Sequence, residues 1–224
     1  MAEVAAEEPG SQSERAYRAL RELIRGMSSP PGSILSENAL TERLRVGRTP
    51  LREAVSRLVH EGLLVRLPQR GLLINTLSAE DIRELYEVRE ALEVMCARSA
   101  AIRVSEGDLD GFRVLLEESR RAIDAGIDWL KYRELDHQFH TALARVGGNR
   151  RARMMLDSMF DAAVLDPWFG KISAIPGQLH RSVLEHSAIV EGLAARDPDV
   201  AAAAVRAHAQ SYRRALADHL FGSA

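Results

Sequence analysis

The 224-residue chain has one cysteine, Cys96, and this scarcity excludes an internal disulfide framework. Cys96 lies within an apolar helical stretch, so we interpret it as a packing residue rather than a reactive thiol. The sequence has no apolar run close to the roughly 18–20 residues that a membrane span requires, and it has no recognisable signal peptide. We therefore expect a cytoplasmic protein that does not insert into a membrane.

The chain also carries little net charge, −2 at neutral pH, which taken alone argues against binding to nucleic acid. The charge is unevenly distributed, however. Residues 13–76 hold eleven arginines and six glutamates, residues 1–12 hold three glutamates, and residues 77–224 hold 19 basic and 23 acidic residues. A basic segment followed by an acidic one separates phosphate binding from a second role.

These segments also differ in their patterns. Residues 1–12 are small, polar and acidic, which predicts a disordered tail. Residues 13–76 predict a winged helix-turn-helix, and residues 77–222 predict an all-α domain. The pair Ser78 and Asp81 forms a capping pattern at the start of that domain. The predicted fold is therefore mostly α, with one small β-hairpin.

The stretch 34–65 predicts two short helices joined by a tight turn. Ser36 can cap the first helix, Gly47 supplies the turn, and Thr49-Pro50 opens the second helix, because proline is tolerated in a first turn. Apolar residues in the second helix recur at i, i+3, i+4 and i+7, namely Leu51, Ala54, Val55 and Leu58. This spacing predicts one buried face.

The opposite face of that helix is polar and positively charged near its N-terminus, the end that a recognition helix presents to base edges. The strands predicted at 63–66 and 72–74, joined by a turn that contains Arg70, form a wing. We therefore predict a DNA-binding set consisting of Arg45, Arg48, Thr49, Arg52, Arg70 and Gly71.

The segment from Ile24 to Leu64 resembles the DNA-binding domain of GntR-family bacterial transcription regulators. The resemblance rests on Ile24-Arg25-Gly26, Pro31 to Glu37, Val46 to Ala54, and Glu61 to Leu64. It implies that a homodimer binds a short palindromic operator in double-stranded DNA. The chain departs from the family pattern at Gly47, where serine is more usual, so one capping or phosphate-contacting hydroxyl is missing.

From Ala79 onward the only periodicity is helical, and it predicts an antiparallel bundle of six or seven helices. Asn149 can cap the fourth of these helices, whose predicted apolar stripe contains Met155, Met159 and Val164. No internal repeat of fixed period is visible.

Polar residues within the apolar stripes of the bundle are the main functional signal. Asp136 and His140 are four residues apart and project from one helix face, while His186 and His208 lie in the stripes of two other helices. A buried carboxylate costs several kcal/mol unless it is paired or metal-bound. Three imidazoles and one carboxylate are ordinary ligands for a divalent metal, so we predict a metal site.

Three alternatives remain for these residues. A histidine on an apolar face is often only hydrogen-bonded in the core, and Asp136 with His140 can form a structural hydrogen bond. His137 and His219 also compete as ligands. We expect zinc at such a site, with nickel and manganese as alternatives that ligand type does not exclude.

Arg89 interrupts the apolar stripe of the first bundle helix. A buried guanidinium needs a carboxylate, and its fork suits one supplied by a ligand. The alternative is an internal ion pair with Glu93 or Asp136. Ser182 either faces the same cavity or packs in the core. We predict Arg89 and Ser182 as effector-binding residues.

The second domain resembles the FCD effector-binding domain of FadR-like GntR regulators over about residues 79–220. The resemblance is carried by Asp136-x-x-Phe139-His140-x-x-Leu143, Gly148-Asn149, Glu185-His186-x-x-Ile189 and Arg206-x-His208. In many members the matching aspartate and three histidines bind a divalent metal, and a small organic acid sits on or beside it. All four positions are filled here, so the resemblance implies the metal-binding type rather than the acyl-CoA-binding type.

We therefore predict a metabolite-responsive transcription regulator, a repressor released from its operator by a small carboxylate bound near the metal. Related members also activate, which leaves the sign of regulation open. A metal-dependent enzyme is one alternative, but the sequence has no glycine-rich phosphate loop and no paired carboxylates near the site. A ligand-independent architectural DNA-binding protein is the other, and it would leave the four metal-type residues unexplained.

Overall fold

The computed structural model describes residues 11–26, 29–126, 129–163, 165–166 and 168–221. The chain separates into two compact units, with the division between Thr76 and Leu77. The tail predicted for residues 1–12 lies outside the described residues except at its end. There Ser11 caps the first helix and Gln12 begins it, so the helix starts earlier than the predicted tail allows.

The first unit is a winged helix-turn-helix, as predicted. Its elements are α1 (Gln12–Arg25), β1 (Ile34–Leu35), α2 (Glu37–Leu44), α3 (Arg48–His60), β2 (Leu64–Leu67) and β3 (Gly71–Ile74). The three strands form an antiparallel sheet in the order β1-β3-β2. Helix α3 packs against α1, and all four residues of its predicted apolar face are almost completely buried.

The turn between α2 and α3 differs from the prediction. The left-handed residue is Arg45, with a φ of 51°, whereas Gly47 has an ordinary φ of −69° and acts as the N-cap of α3. Helix α3 begins at Arg48, so Pro50 is its third residue. Proline is tolerated there because the first-turn N–H groups have no intrahelical acceptor.

Strand β1 was not predicted, because two residues are too few to display a period of two. It explains the glycine at the start of β3. Gly71 has a φ of +104°, and an added Cβ would lie 2.5 Å from the carbonyl oxygen of Leu35 in β1. The close approach of the two strands therefore requires glycine at this position, independently of any contact with DNA.

The described part of the second unit contains seven helices and no strand, in agreement with the predicted bundle. They are α4 (Ala79–Arg103), α5 (Glu106–Asp124), α6 (Trp129–Gly147), α7 (Arg150–Ala163), α8 (Phe169–Ser173), α9 (Gln178–Ala194) and α10 (Pro198–Phe221). The predicted capping box of Ser78 and Asp81 starts α4, and a second one of Ser105 and Asp108 starts α5.

Helix α4 is central to the second unit because it packs against α6, α7, α9 and α10. Its backbone approaches α6 closely where a Cβ on Gly147 would lie 2.8 Å from the carbonyl oxygen of Cys96. Cys96 is fully buried, as a packing residue should be. This contact brings the polar residues of α4 and α6 together in the core.

The predicted stripe of α7 is partly wrong. Met155 is half exposed, with 50% of its surface accessible, and the buried apolar residues of the helix are instead Ala152, Leu156 and Phe160. Val164 lies outside the described residues. Methionine tolerates either environment, so its presence in a short pattern is weak evidence for burial.

Candidate functional site

Four polar side chains from three helices meet in the core of the second unit. Asp136 and His140 come from α6, His186 from α9 and His208 from α10, and each offers a ligand atom within 4.8 Å of the other three. The Asp136 Oδ1 atom lies 3.4 Å from Nε2 of His186 and 3.7 Å from Nε2 of His140. The structure therefore assembles the four residues that the helical stripes singled out.

The two competing histidines are elsewhere. The ring of His137 packs edge-on against Phe160 at a centroid distance of 4.9 Å, and His219 is exposed near the end of α10. Neither belongs to the group of four. His137 directly follows Asp136 in sequence, and neighbouring residues of a helix point to different sides of it. The side chain of His137 therefore points away from the group of four.

Burial makes this group costly unless an ion holds it. His140 and His186 are 0% and 2% exposed, and the Nε2 atom of each lacks a hydrogen-bond partner among the described residues. Buried polar atoms without partners are rare in native proteins. Three imidazole nitrogens and one carboxylate oxygen are donors that zinc, nickel or manganese accepts, so the residues fit a divalent cation.

Two carboxylates outside this group lie beside the Nδ1 atoms of two of its histidine rings. The Glu185 Oε2 atom lies 2.8 Å from Nδ1 of His208, and the Glu93 Oε1 atom lies 2.9 Å from Nδ1 of His140, although that ring is not aligned for a linear hydrogen bond. A carboxylate at Nδ1 turns Nε2 toward a metal position and makes it a better ligand. Sequence reasoning missed both roles, because these pairs join residues on different helices.

Arg89 forms the internal ion pair that the sequence left open. Its Nε atom lies 2.9 Å from Glu93 Oε1, and both side chains are buried. Its guanidinium also stacks over the ring of Phe160, 4.5 Å from the centroid. Because Nε is committed to Glu93, the terminal nitrogens are the donors that Arg89 can still offer a ligand.

The electrostatics of the core keep its carboxylates ionised. Burial raises the pKa of Asp136, but His140 and His186 lower it by a larger amount, so its pKa lies well below the ordinary value. Burial acts in the same direction on Glu93, where Arg89 and His140 lower the pKa to about 2. Charged carboxylates next to imidazole nitrogens are the state that binds a cation.

A cavity adjoins this group. Its volume is about 50 Å³, enough for a few water molecules or one small ligand. The wall includes Tyr86, Arg89, Tyr132, Asp136, Ser182 and His208. The two residues predicted to bind an effector thus face the same space as two of the metal-type residues, while Tyr132 was not predicted to do so.

The first unit carries its functional candidates on the surface. Arg48, Thr49 and Arg52 are exposed at the start of α3, Arg45 is exposed at the end of α2, and Arg70 is exposed in the turn between β2 and β3. Within the described residues, none of these four arginine side chains makes an ion pair or hydrogen bond. The N-cap of α3 is Gly47, which has no hydroxyl, so no side chain caps the first turn of this helix.

Other arginines of this unit are engaged in the fold. Arg57 pairs with Glu14 at 2.8 Å and stacks on the ring of Tyr17, 3.6 Å from its centroid. Arg66 on β2 pairs with Glu37 on α2. Arg48 and Arg52 on α3 and Arg70 on the wing are therefore unpaired among the described residues, and they lie on the two elements that a winged helix-turn-helix presents to DNA.

Among the described residues, no helix is long and apolar enough to cross a membrane.

Each of the two units matches a protein-family model. A model described as "FCD domain" matches residues 84–211, and a model described as "Bacterial regulatory proteins, gntR family" matches residues 12–74. The chain is 33% identical over 184 residues to the Nta operon transcriptional regulator of Aminobacter aminovorans, covering 81% of this chain and 83% of that protein. It is 31% identical over 202 residues to the HTH-type transcriptional repressor RspR of Escherichia coli (strain K12), covering 88% and 85%.

Solved structures share the same fold. Escherichia coli McbR/YncC matches with a TM-score of 0.82 at 21% identity, covering 95% of this chain and 100% of that one. A GntR transcriptional regulator from Rhodococcus sp. RHA1 matches with a TM-score of 0.78 at 25% identity, covering 96% and 100%. The likeness extends over both units.

Proposed function

The chain belongs to the GntR family of bacterial transcription regulators, with an FCD domain after its DNA-binding domain, and on that premise we propose a specific mode of regulation. The protein represses by binding its operator as a homodimer. A small carboxylate releases it by binding next to a divalent cation held by Asp136, His140, His186 and His208. Because its target is operator DNA, we expect it to act in the cytoplasm.

One observation carries this proposal, namely a buried histidine and aspartate group that opens onto a cavity lined by Arg89. A folding core gains nothing from unpartnered imidazole nitrogens, since each loses its hydrogen bonds to water. A bound divalent cation would satisfy them and would offer a coordination position to an oxygen atom. The nitrogens of Arg89 that are not engaged with Glu93 would then receive the second oxygen of a carboxylate.

The charges around the cavity also indicate that the metal binds before the carboxylate. Among the described residues lining the cavity, Glu93, Asp136 and Glu185 bring three carboxylates, against one guanidinium from Arg89. Without a cation this wall has an excess of two negative charges, which would repel an acid. With a divalent cation it is neutral, so the carboxylate should bind only to the metal-loaded protein.

The coupling between effector and operator follows from linkage. An acid that binds the two conformations of the dimer with different affinity shifts the dimer toward the one it prefers. If that conformation fits the operator poorly, DNA is released. The names of two relatives, the repressors RspR and GlaR of Escherichia coli, favour repression over activation.

An exposed stripe on α4 supports a second copy as a partner. Val88, Met95 and Ile102 are 45%, 38% and 68% exposed and are seven residues apart, the spacing with which helices pair. The stripe is roughly 21 Å long, from a rise of about 1.5 Å per residue. Met95→Glu should give monomers by sedimentation and weaken operator binding, whereas the control Val114→Glu, on the exposed face of α5, should not.

The direct test is operator affinity measured by fluorescence anisotropy during titration with a panel of small carboxylic acids. We expect one acid or more to weaken binding by the zinc-loaded protein and to have no effect after chelation. Arg89→Lys keeps a charge beside Glu93 but loses the fork, so it should blunt the response. The control Arg98→Lys changes an exposed arginine of the same helix and should respond like wild type.

Two results would overturn this proposal. If elemental analysis finds no divalent metal and none binds on addition, the three histidines are core residues. If no acid changes operator affinity in the metal-loaded protein, the cavity is not an effector site.

A further inference from the structure

One acidic side chain lies on the exposed face of α3, among the residues that this helix offers to DNA. Glu53 is exposed, and its carboxylate forms no ion pair or hydrogen bond with any described residue. With about 100° of rotation per residue, Glu53 lies roughly 30° from the direction opposite the buried face of α3 and about 40° from Thr49. A negative charge therefore stands near the middle of the face that a recognition helix turns toward the bases.

The fold makes no use of this carboxylate. A cation four residues after a glutamate is its favoured partner in a helix, and for Glu53 that residue is Arg57. Arg57 instead pairs with Glu14 and stacks on the ring of Tyr17. Most glutamates in residues 13–76 do have a side-chain partner, namely Glu14, Glu22, Glu37 and Glu61. The position of Glu53 is thus not explained by stability.

A carboxylate at this place opposes DNA binding unless it finds a donor there. Phosphates repel it, and an ionised carboxylate can only accept hydrogen bonds. In the major groove guanine presents two acceptors, thymine presents an acceptor and a methyl group, and adenine presents an acceptor beside its amino group. Cytosine alone presents an amino group, N4, without an acceptor of its own. Cytosine is therefore the base that suits a carboxylate best.

We propose that Glu53 is a specificity-determining residue, and that its carboxylate accepts a hydrogen bond from the N4 amino group of a cytosine in each half-site of the operator. This inference deepens the proposed function and rests on its palindromic operator. Arg48 and Arg52 attract DNA of any sequence through their charge. Glu53 makes that attraction conditional, because another base at the same position leaves the carboxylate facing an acceptor or without a donor.

The matched control is Glu42 on α2. This glutamate is also exposed, and it also has no side-chain partner among the residues that the structure describes. Glu42→Ala removes the same charge from the same unit but leaves the exposed face of α3 intact. An effect of net charge alone on DNA affinity should therefore appear in both variants, whereas an effect on base preference should appear only in Glu53→Ala.

The experiment selects duplexes from a DNA library with a random central segment of about 20 base pairs, room for two half-sites one helical turn apart. Wild type, Glu53→Ala and Glu42→Ala are compared as full-length proteins, without added acid. Wild type should enrich a palindrome in which one position of each half-site is restricted to cytosine. Glu53→Ala should enrich the same palindrome with that position unrestricted, and Glu42→Ala should keep the restriction.

Fluorescence anisotropy on the selected duplex gives the size of the effect. Replacing that C·G pair in both half-sites should weaken binding by wild type about tenfold or more, as mismatches in a specific site do. Glu53→Ala should bind the original and the replaced duplex equally well. It should also bind the replaced duplex more tightly than wild type does, because the repulsion is gone. A purely structural role of Glu53 would not produce this gain.

Three results would overturn the assignment. The first is a Glu53→Ala consensus as restricted as that of wild type at every position, and the second is the same loss of restriction in Glu42→Ala. The third is a clear decrease in melting temperature with weaker binding to all duplexes, which would make Glu53 a residue of the fold. We expect an unchanged melting temperature, because Glu53 is the sixth residue of α3, beyond the turn that the helix dipole favours for an acid.

Failure of the broader proposal gives a different pattern. If wild type enriches no sequence, operator recognition itself fails, and the assignment of Glu53 fails with it. If wild type enriches a palindrome but neither metal nor any acid changes its affinity, the effector part of the proposed function fails and the assignment of Glu53 stands.

Discussion

The two units place their charged groups in opposite ways. In the DNA-binding unit, Arg48 and Arg52 are exposed and make no ion pair with any described residue. In the FCD unit, Arg89 and Glu93 are buried, paired with each other and in contact with the histidine group. An exposed arginine loses little when it meets a phosphate, because it has no partner to give up. A buried charge is held in one geometry, which suits the recognition of one small ligand.

Because of this contrast, we expect that substitutions can change folding stability and DNA affinity separately. Substitutions in the buried network should act first on folding, whereas substitutions of the exposed arginines should act on DNA affinity alone. Both tryptophans, Trp129 and Trp168, belong to the second unit, so tryptophan fluorescence reports the unfolding of that unit.

The largest effect is expected for Glu93→Ala. This change leaves Arg89 buried without its partner and removes the carboxylate beside His140, so the free energy of unfolding should fall by about 3–5 kcal/mol. Urea unfolding followed by tryptophan fluorescence measures it. The control Glu87→Ala, which removes a half-exposed partner of Arg83 on the same helix, should cost about 0–1 kcal/mol. Equal losses in the two variants would contradict the importance of burial.

Metal binding should give the next largest effect. Zinc in thousandfold excess over its dissociation constant should stabilise the protein by about 4 kcal/mol, because it binds only the folded state. The melting temperature with and without zinc measures the effect. His140→Ala should abolish the stabilisation and His219→Ala should retain it. The assignment of the ligands is wrong if the two variants respond alike.

A smaller effect is expected for Arg52→Ala. If its guanidinium makes a bidentate contact with a guanine, operator affinity should fall by about 1–3 kcal/mol. The unfolding of the second unit should not change. Arg66→Ala removes a guanidinium already paired with Glu37 and should weaken binding less. Gel shifts with the operator test both variants, and unchanged affinity for Arg52→Ala would remove the recognition-helix assignment.

The smallest effect is expected for Arg70→Ala on the wing. A phosphate contact adds affinity for every DNA sequence and adds about one unit to the slope of log affinity against log salt concentration. Operator binding measured at several salt concentrations should therefore show a slope smaller by about one. A selective loss of affinity for the operator, with the slope unchanged, would indicate a base contact instead.

The sequence by itself determined the elements whose information is local. The pattern of Leu51, Ala54, Val55 and Leu58 predicted the buried face of α3, and the capping box at Ser78 predicted the start of α4. Such patterns span four to eight residues, and they depend on the period of the helix and on backbone groups within one or two turns. The same periodicity placed Asp136, His140, His186 and His208 in apolar stripes before any contact between them was known.

Only the tertiary structure decided which of these side chains meet. His137 and His219 satisfied the sequence pattern nearly as well, and packing turned them away from the group. The contacts of Glu93 with His140 and of Glu185 with His208 join residues 47 and 23 positions apart, and no local period encodes such a distance. The same holds for strand β1 and for the position of Tyr132 in the cavity wall. Their environments come from neighbouring elements, which depend on how the helices and strands pack rather than on how each one forms.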